Sequence, residues 1–160
     1  MAKKKYIWII GILIIVGVLY FILGSNRATG FAALDNFNNE ITIYNSLSCG
    51  CCGLYAEYFK KKGNSDVMVI NSEDMDEIRE RYGVPSRMES CHTTIIGDYF
   101  VEGHIPLEAV NKLLEEKPDI AGIAMPGMPS GSPGMPGVKR GDFVIYAVDY
   151  EGSYKEFMRI

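Results

Sequence analysis

Three cysteines within four residues, interleaved with glycine, form the segment Cys49 to Gly53 of this chain. An alternating β-branched segment before it predicts a strand, and residues 54–62 after it predict a helix. Thiols at a helix N-terminus face unpaired backbone N–H groups and the positive end of the helix dipole, and both lower the thiol pKa. Adjacent Cys51 and Cys52 would bridge only with strain. The spacing therefore favours a redox or metal site over a framework of structural disulfides.

Apolar patterning and turn residues place the other elements. Alternating or continuous apolar segments predict strands, and Pro or Gly predicts where helices begin and end. The predicted order is β-α-β-α-β-β-α, which indicates an α/β fold: a thioredoxin-like mixed sheet with flanking helices. Strands are predicted at 41–45, 67–70, 93–96 and 99–102, and helices at 54–62, from Ser72 to before Gly83, and at 106–116.

This fold predicts that residues far apart in sequence meet at one end of the sheet. The third strand should run antiparallel beside the first, so Cys91 and His92 at its start should lie beside Cys49 at the end of the first strand. His92 stands where thioredoxins and glutaredoxins often carry a cis-proline, which suggests a ligand, although a capping or core histidine is the alternative. His104, after the fourth strand, is either a peripheral ligand or a backbone hydrogen-bonding residue.

The cysteines Cys49, Cys51, Cys52 and Cys91 are therefore predicted to form one soft-metal site. Dense thiolates favour copper(I), with zinc as the second candidate. Cys49 and Cys52 also have the C-x-x-C spacing of dithiol oxidoreductases, which is the main rival interpretation. The third sulfur, from Cys51, favours a metal because simple thiol exchange does not need it.

Residues 125–137 are rich in Met, Pro and Gly, a composition that predicts a loop with no helix or interior strand. Met125, Met128 and Met135 lie in it, and their thioethers suit copper(I) as ligands or as a relay. Loop packing over the site is the alternative. Beyond the loop, residues 143–148 and 154–158 alternate around Glu151-Gly152 and predict a terminal hairpin that extends the sheet.

The N-terminal part predicts export. Residues 6–23 are apolar and uncharged, and three lysines precede them. This pattern predicts a single-pass membrane anchor with a cytoplasmic N-terminus and an extracytoplasmic domain, periplasmic or at the cell surface. A cleaved signal peptide is the alternative, although its cleavage site would be poor. The predicted division is 1–27 for the cytoplasmic tip and anchor, 28–40 for a tether and 41–160 for the domain.

Charge excludes one class of partner. All 20 acidic residues but only 12 of the 16 basic residues follow Arg27, so the predicted exported part carries a net charge of −8. Such a surface is unsuited to nucleic acid and attracts cations.

Four ordered motifs resemble one known family. They are Tyr44 to Gly53, Ser90 to Thr93, Val101 to Pro106 and Gly122 to Met135. Together they are similar to the CopG-like family, exported thioredoxin-like metal-binding proteins associated with bacterial copper resistance. The resemblance implies copper binding through the cysteine cluster, copper-linked redox chemistry, and copper exporters or other copper-handling proteins as partners. This chain has Tyr55 where relatives often carry Trp, and an anchor where many have a cleavable signal.

Three hypotheses follow for the function. The leading one is an extracytoplasmic copper(I)-binding protein for copper tolerance or handling. The second is an enzyme, a membrane-anchored thiol–disulfide oxidoreductase with Cys49 and Cys52 as its catalytic residues. The third is a structural zinc domain with three cysteines and one histidine as ligands.

Overall fold

A computed structural model describes residues 2–23, 30–47, 49–63 and 66–160. It contains five helices, seven strands and a short 3₁₀ turn within those residues. The helices are α1 (Ala2–Leu23), α2 (Ala32–Asp35), α3 (Cys52–Lys62), α4 (Met75–Tyr82) and α5 (Leu107–Glu116), and the 3₁₀ turn is Ser86–Met88. The strands are β1 (Ile41–Ser46), β2 (Val67–Ser72), β3 (His92–Ile96), β4 (Tyr99–Glu102), β5 (Gly122–Ala124), β6 (Val144–Val148) and β7 (Tyr154–Arg159).

All seven strands form one mixed sheet in the order β2-β1-β3-β4-β5-β6-β7. β1 pairs in parallel with β2 and antiparallel with β3, and β3 and β4 form a hairpin. β6 and β7 form the terminal hairpin and join the sheet through β5. The predicted α/β class, the mixed sheet and the flanking helices are therefore confirmed.

One strand was not predicted. β5 has three residues and pairs in parallel with β4, which links the hairpin β6–β7 to the rest of the sheet. Its first residue is Gly122, where a Cβ would clash with the backbone oxygen of Phe100. A three-residue strand that begins with glycine has too little β-branched or aromatic character for sequence patterning to identify it.

Two helix starts differ from the prediction. α3 begins at Cys52, so the last cysteine of the cluster lies inside the helix rather than before it. α4 is capped by Asp74, whose Oδ1 accepts a hydrogen bond from the Glu77 N–H at 2.9 Å, and not by Ser72. The Ser72 hydroxyl instead accepts from the Asp74 N–H at 3.1 Å, so it holds the backbone of the capping residue from two positions earlier in the chain.

The helix α1 covers the apolar segment for which a membrane anchor is predicted. Among the residues that the structure describes, no helix is long and apolar enough to cross a membrane. The anchor and the cytoplasmic N-terminus remain predictions.

The segment predicted as a tether contributes to the hydrophobic core. Leu34, on the single turn of α2, is fully buried and belongs to the main core cluster. The side-chain oxygen of Asn111 on α5 accepts hydrogen bonds from the N–H groups of Ala33 and Leu34, at 3.0 and 3.3 Å. These contacts satisfy backbone donors at the start of α2 and hold the segment against α5.

Replacing Leu34 by Ala should lower the free energy of unfolding by about 2–5 kcal/mol, because a buried leucine side chain is lost and a cavity remains. Urea unfolding of the purified chain measures the change. Leu54→Ala is the matched control: Leu54 is 58% exposed, so its loss should change stability by less than about 0.5 kcal/mol. Equal effects of the two substitutions would contradict the assignment of Leu34 to the core.

Candidate metal centre

The cysteines meet where β1 ends and β3 begins. Antiparallel pairing places Asn45 of β1 opposite His92 of β3, so the chain after β1 and the chain before β3 leave the sheet at the same end. One sulfur atom from each of four cysteines lies within 4.8 Å of the others. The predicted convergence of Cys91 with Cys49 is confirmed. These four residues are Cys49, Cys51, Cys52 and Cys91.

Two of the four sulfurs are joined. Cys49 and Cys52 form a disulfide that closes the C-x-x-C segment, and Cys51 and Cys91 are free. The adjacent cysteines do not bridge each other; the start of α3 turns Cys52 back toward Cys49, with their Cα atoms 5.6 Å apart. The four-thiolate site predicted from the sequence therefore describes the reduced protein only.

Two histidines extend the cluster. Cys91, His92 and His104 form a second group whose ligand atoms all lie within 4.8 Å of one another. Cys91 Sγ lies 3.1 Å from His104 Nε2 and 3.6 Å from His92 Nδ1. Cys51 Sγ lies 3.5 Å from the same His104 nitrogen and 3.4 Å from Cys49 Sγ. Cys91 belongs to both groups and joins them into one continuous set of donors.

A backbone carbonyl of the Met/Pro/Gly loop fixes the orientation of the His104 ring. Its Nδ1 lies 2.7 Å from the backbone oxygen of Pro133, which can only accept, so Nδ1 carries the proton. Burial lowers the pKa of His104, and the imidazole is neutral near pH 7. Nε2 therefore presents a lone pair toward the sulfurs of Cys51 and Cys91, which is the form that ligates a metal.

His92 is buried beneath the first turns of α3. Its ring lies 4.3 Å from that of Tyr55, and burial lowers its pKa to about 3, so it is neutral. Nδ1 faces Cys91, whereas Nε2 has no hydrogen-bond partner among the described residues. The side-chain oxygen of Asn45, opposite His92 in the sheet, is likewise buried and without a partner there.

Cys91 is a thiol rather than a thiolate in this environment. Burial and the neighbouring Cys51 raise the pKa of Cys91 to about 12. The lowering of thiol pKa expected at a helix N-terminus does not extend to Cys91, because this residue precedes β3 and not α3. A metal ion that binds Cys91 must therefore displace its proton.

The methionines of the loop occupy different environments. The loop packs on α3, since a Cβ at Gly134 would lie 2.7 Å from the Tyr55 backbone nitrogen. Met135 follows Gly134 and is half-buried. Met125 is fully buried in the hydrophobic core, and Met128 is 43% exposed. As predicted, residues 125–137 contain no helix or strand.

A buried carboxylate beside the site was not singled out from the sequence. Glu102 is fully buried and accepts hydrogen bonds from the Ser90 N–H and the Thr93 hydroxyl. Burial raises its pKa to about 7, against the opposing effect of these hydrogen bonds and of Arg79. The one signal in the sequence is that this acidic residue ends a strand of otherwise apolar and aromatic residues, immediately before Gly103.

Comparisons with known proteins bear on this geometry. Residues 88–135 match the family described as protein of unknown function DUF411. Two solved structures, described as copper resistance protein CopG, Form 2 and Form 1, are each 34% identical to this chain. The first match covers 76% of this chain and 97% of the other, with a TM-score of 0.69. The second covers 76% and 96%, with a TM-score of 0.66. No curated protein matches this chain.

Thiol titration should find two reactive thiols in the denatured, non-reduced protein and four after reduction, because Cys49 and Cys52 are bridged and the other two are free. Alkylation before and after reduction, followed by peptide mass spectrometry, assigns each thiol to a residue. Alkylation of Cys49 or Cys52 before reduction, or a disulfide that contains Cys51, would contradict this pairing.

Proposed function

Because this chain belongs to the CopG-like family of copper resistance proteins, we propose that it binds copper(I) through its cysteine cluster. Copper is the cargo of the protein, held for tolerance, buffering or transfer. The four cysteines supply the thiolates, and His92 and His104 are additional donors. The names of the two related structures refer to copper resistance without an oxidation state, and the choice of copper(I) is our proposal.

The observation that carries the proposal is the clustering of soft donors. Four sulfurs lie within 4.8 Å of one another, and two metal–sulfur bonds of about 2.3 Å span about the same distance. Two neutral imidazoles adjoin them through Cys91. Thiolates together with imidazoles suit copper(I) and also zinc, whereas a site for magnesium or calcium would be built from oxygen.

Copper(I) binding by all four sulfurs requires reduction of the disulfide. A dithiol reductant supplies two electrons and two protons: its own thiols become a disulfide, the Cys49–Cys52 bond breaks, and both residues become thiols. Copper(I) then binds as the thiol protons leave to solvent, with no change in its oxidation state. The half-buried positions of Cys49, Cys51 and Cys91 leave an approach for the ion.

We further propose that the domain lies outside the cytoplasm, anchored by residues 6–23. The support is the uncharged apolar segment, the three lysines before it and the acidic character of the chain after it. Copper exporters and other copper-handling proteins are the partners that this placement favours.

Thiol–disulfide exchange is the second candidate function. The disulfide of Cys49 and Cys52 lies at the start of α3, where a thiolate is favoured by the helix dipole. Under this alternative the chain is an oxidoreductase, and Cys51 has no necessary role in the reaction. A structural zinc site is the third candidate, and competition between zinc and copper(I) distinguishes it.

The substitution Cys51→Ser separates metal binding from exchange. Loss of one soft donor should weaken retention of copper(I) against a competing chelator by at least about tenfold, equivalent to about 1.4 kcal/mol. Disulfide reduction by the variant should change little, because Cys49 and Cys52 remain. The assays use reduced protein without oxygen, with Cys49→Ser as the control that impairs both activities. Parent-like copper binding by Cys51→Ser, together with loss of exchange in Cys49→Ser, would favour the oxidoreductase.

The proposed orientation is tested with reporters fused after Ile160. Because the lysines before the apolar segment keep the N-terminus inside, a reporter that works only in the cytoplasm should be silent, and one that works only after export should be active. Replacing the three lysines by glutamate should weaken this difference. Activity of the cytoplasmic reporter in the parent fusion would overturn the proposed location.

A further inference from the structure

Glu102 contacts both ends of the segment that carries Cys91 and His92. Its Oε1 accepts a hydrogen bond from the Ser90 N–H at 2.6 Å, and its Oε2 accepts one from the Thr93 hydroxyl at 2.6 Å. Ser90 comes immediately before Cys91, and Thr93 immediately after His92. One carboxylate therefore fixes the residues on either side of two metal donors.

Arg79 completes this arrangement from α4. Its Nη2 donates to the Ser90 carbonyl, and its Nε lies 3.7 Å from Glu102 Oε1. Both backbone polar groups of Ser90 are thus held by a buried ion pair. Arg79 also forms ion pairs with Asp76 and Glu89, so Glu102 is not its sole ion-pair partner.

His104, the third donor, is also linked to Glu102 and Ser90. Glu102 ends β4, and Gly103 and His104 follow it directly. The Gly103 N–H donates to the His92 carbonyl at 3.0 Å, and a Cβ at Gly103 would lie 2.8 Å from the Ser90 hydroxyl oxygen. Gly103 also has a positive φ of 85°. The close packing of Ser90 on Gly103 fixes the path of the chain into His104.

A buried carboxylate is a poor choice for stability alone. Removing a carboxylate from water costs several kcal/mol, and an apolar residue of similar volume often gives an equally stable fold. The strand position of Glu102 lies among buried residues, where valine or leucine would pack without that cost. Its benefit must lie in the two directed hydrogen bonds, which an apolar side chain cannot make.

We propose that Glu102 is a positioning residue for the metal centre, which holds Cys91, His92 and His104 in the arrangement that binds copper(I). The inference rests on the proposed function. Glu102 does not ligate the metal; it acts through Ser90 and Thr93. Groups that orient metal ligands in this way typically account for about 10–100-fold in metal affinity.

Two variants separate hydrogen bonding from charge. Glu102→Leu removes both hydrogen bonds and should lower copper(I) affinity by about 10–100-fold in a chelator competition with reduced protein. Glu102→Gln can accept from Ser90 through its oxygen and donate to Thr93 through its amide, so it should stay within about threefold of the parent. Leu113→Ala, in the buried face of α5, is the control that loses stability but removes none of the hydrogen bonds of Glu102, and it should keep the parent affinity.

A second readout needs no metal. Amide hydrogen exchange of the metal-free reduced protein should show lower protection at Ser90 and at the start of β3 in Glu102→Leu, but not in Leu113→Ala. If Glu102→Leu does not fold, Thr93→Val removes one hydrogen bond at nearly constant volume and should lower copper(I) affinity by a few-fold.

The outcomes are distinct. Parent-like affinity in Glu102→Leu, or in Thr93→Val where the leucine variant does not fold, overturns the inference and leaves the proposed function intact. Equal losses in Glu102→Gln and Glu102→Leu also overturn it, because charge would then matter and the hydrogen bonds would not. A parent that does not bind copper(I) refutes the proposed function, and the exchange protection at Ser90 still decides whether Glu102 orders the segment.

Discussion

The antiparallel pairing of β1 with β3 is the constraint on which the metal centre depends. It brings the end of one strand beside the start of another that lies far along the sequence, with Asn45 opposite His92. Side chains alternate between the two faces of a strand, so a register shift of one residue would turn His92 away from α3 and from the cysteine cluster. The apolar side chains of Ile41 and Ile43, buried on one face of β1, fix that register.

Much of this arrangement is readable from the sequence because it follows from local pattern and fold topology. Strand alternation, the C-terminal ends of the helices and the convergence of Cys91 with Cys49 were predicted on that basis. What was missed depends on tertiary contacts. Cys49 and Cys52 were identified as a C-x-x-C pair, but that they are bridged rather than part of a four-thiolate site depends on how α3 begins. The buried role of Glu102 depends on the approach of Ser90 and Arg79. The burial of Met125 was not readable either, because it follows from the loop starting directly after β5. A ligand role for Met125 stays a prediction.

The backbone of the Met/Pro/Gly loop shapes the candidate metal centre, independently of whether its methionine sulfurs bind a metal. The Pro133 carbonyl sets the proton of His104 on Nδ1, and Gly134 allows the loop to lie against the first turn of α3. A side chain at Gly134 would separate the loop from α3 and with it the carbonyl from the imidazole. Pro133 and Gly134 therefore have a structural role that does not depend on the methionine sulfurs.

The disulfide and the proposed copper site use the same sulfur atoms of Cys49 and Cys52, so the two states exclude each other. A ligand that binds only the reduced form stabilises that form by RT ln(1 + [L]/Kd). For a two-electron couple, each tenfold excess of copper(I) over its Kd raises the reduction potential of the pair by about 30 mV. Linkage is reciprocal, so an oxidant that forms the disulfide weakens copper binding by the same free energy. The proposed copper binding and the alternative, thiol–disulfide exchange, would therefore be two equilibria of the same set of sulfur atoms.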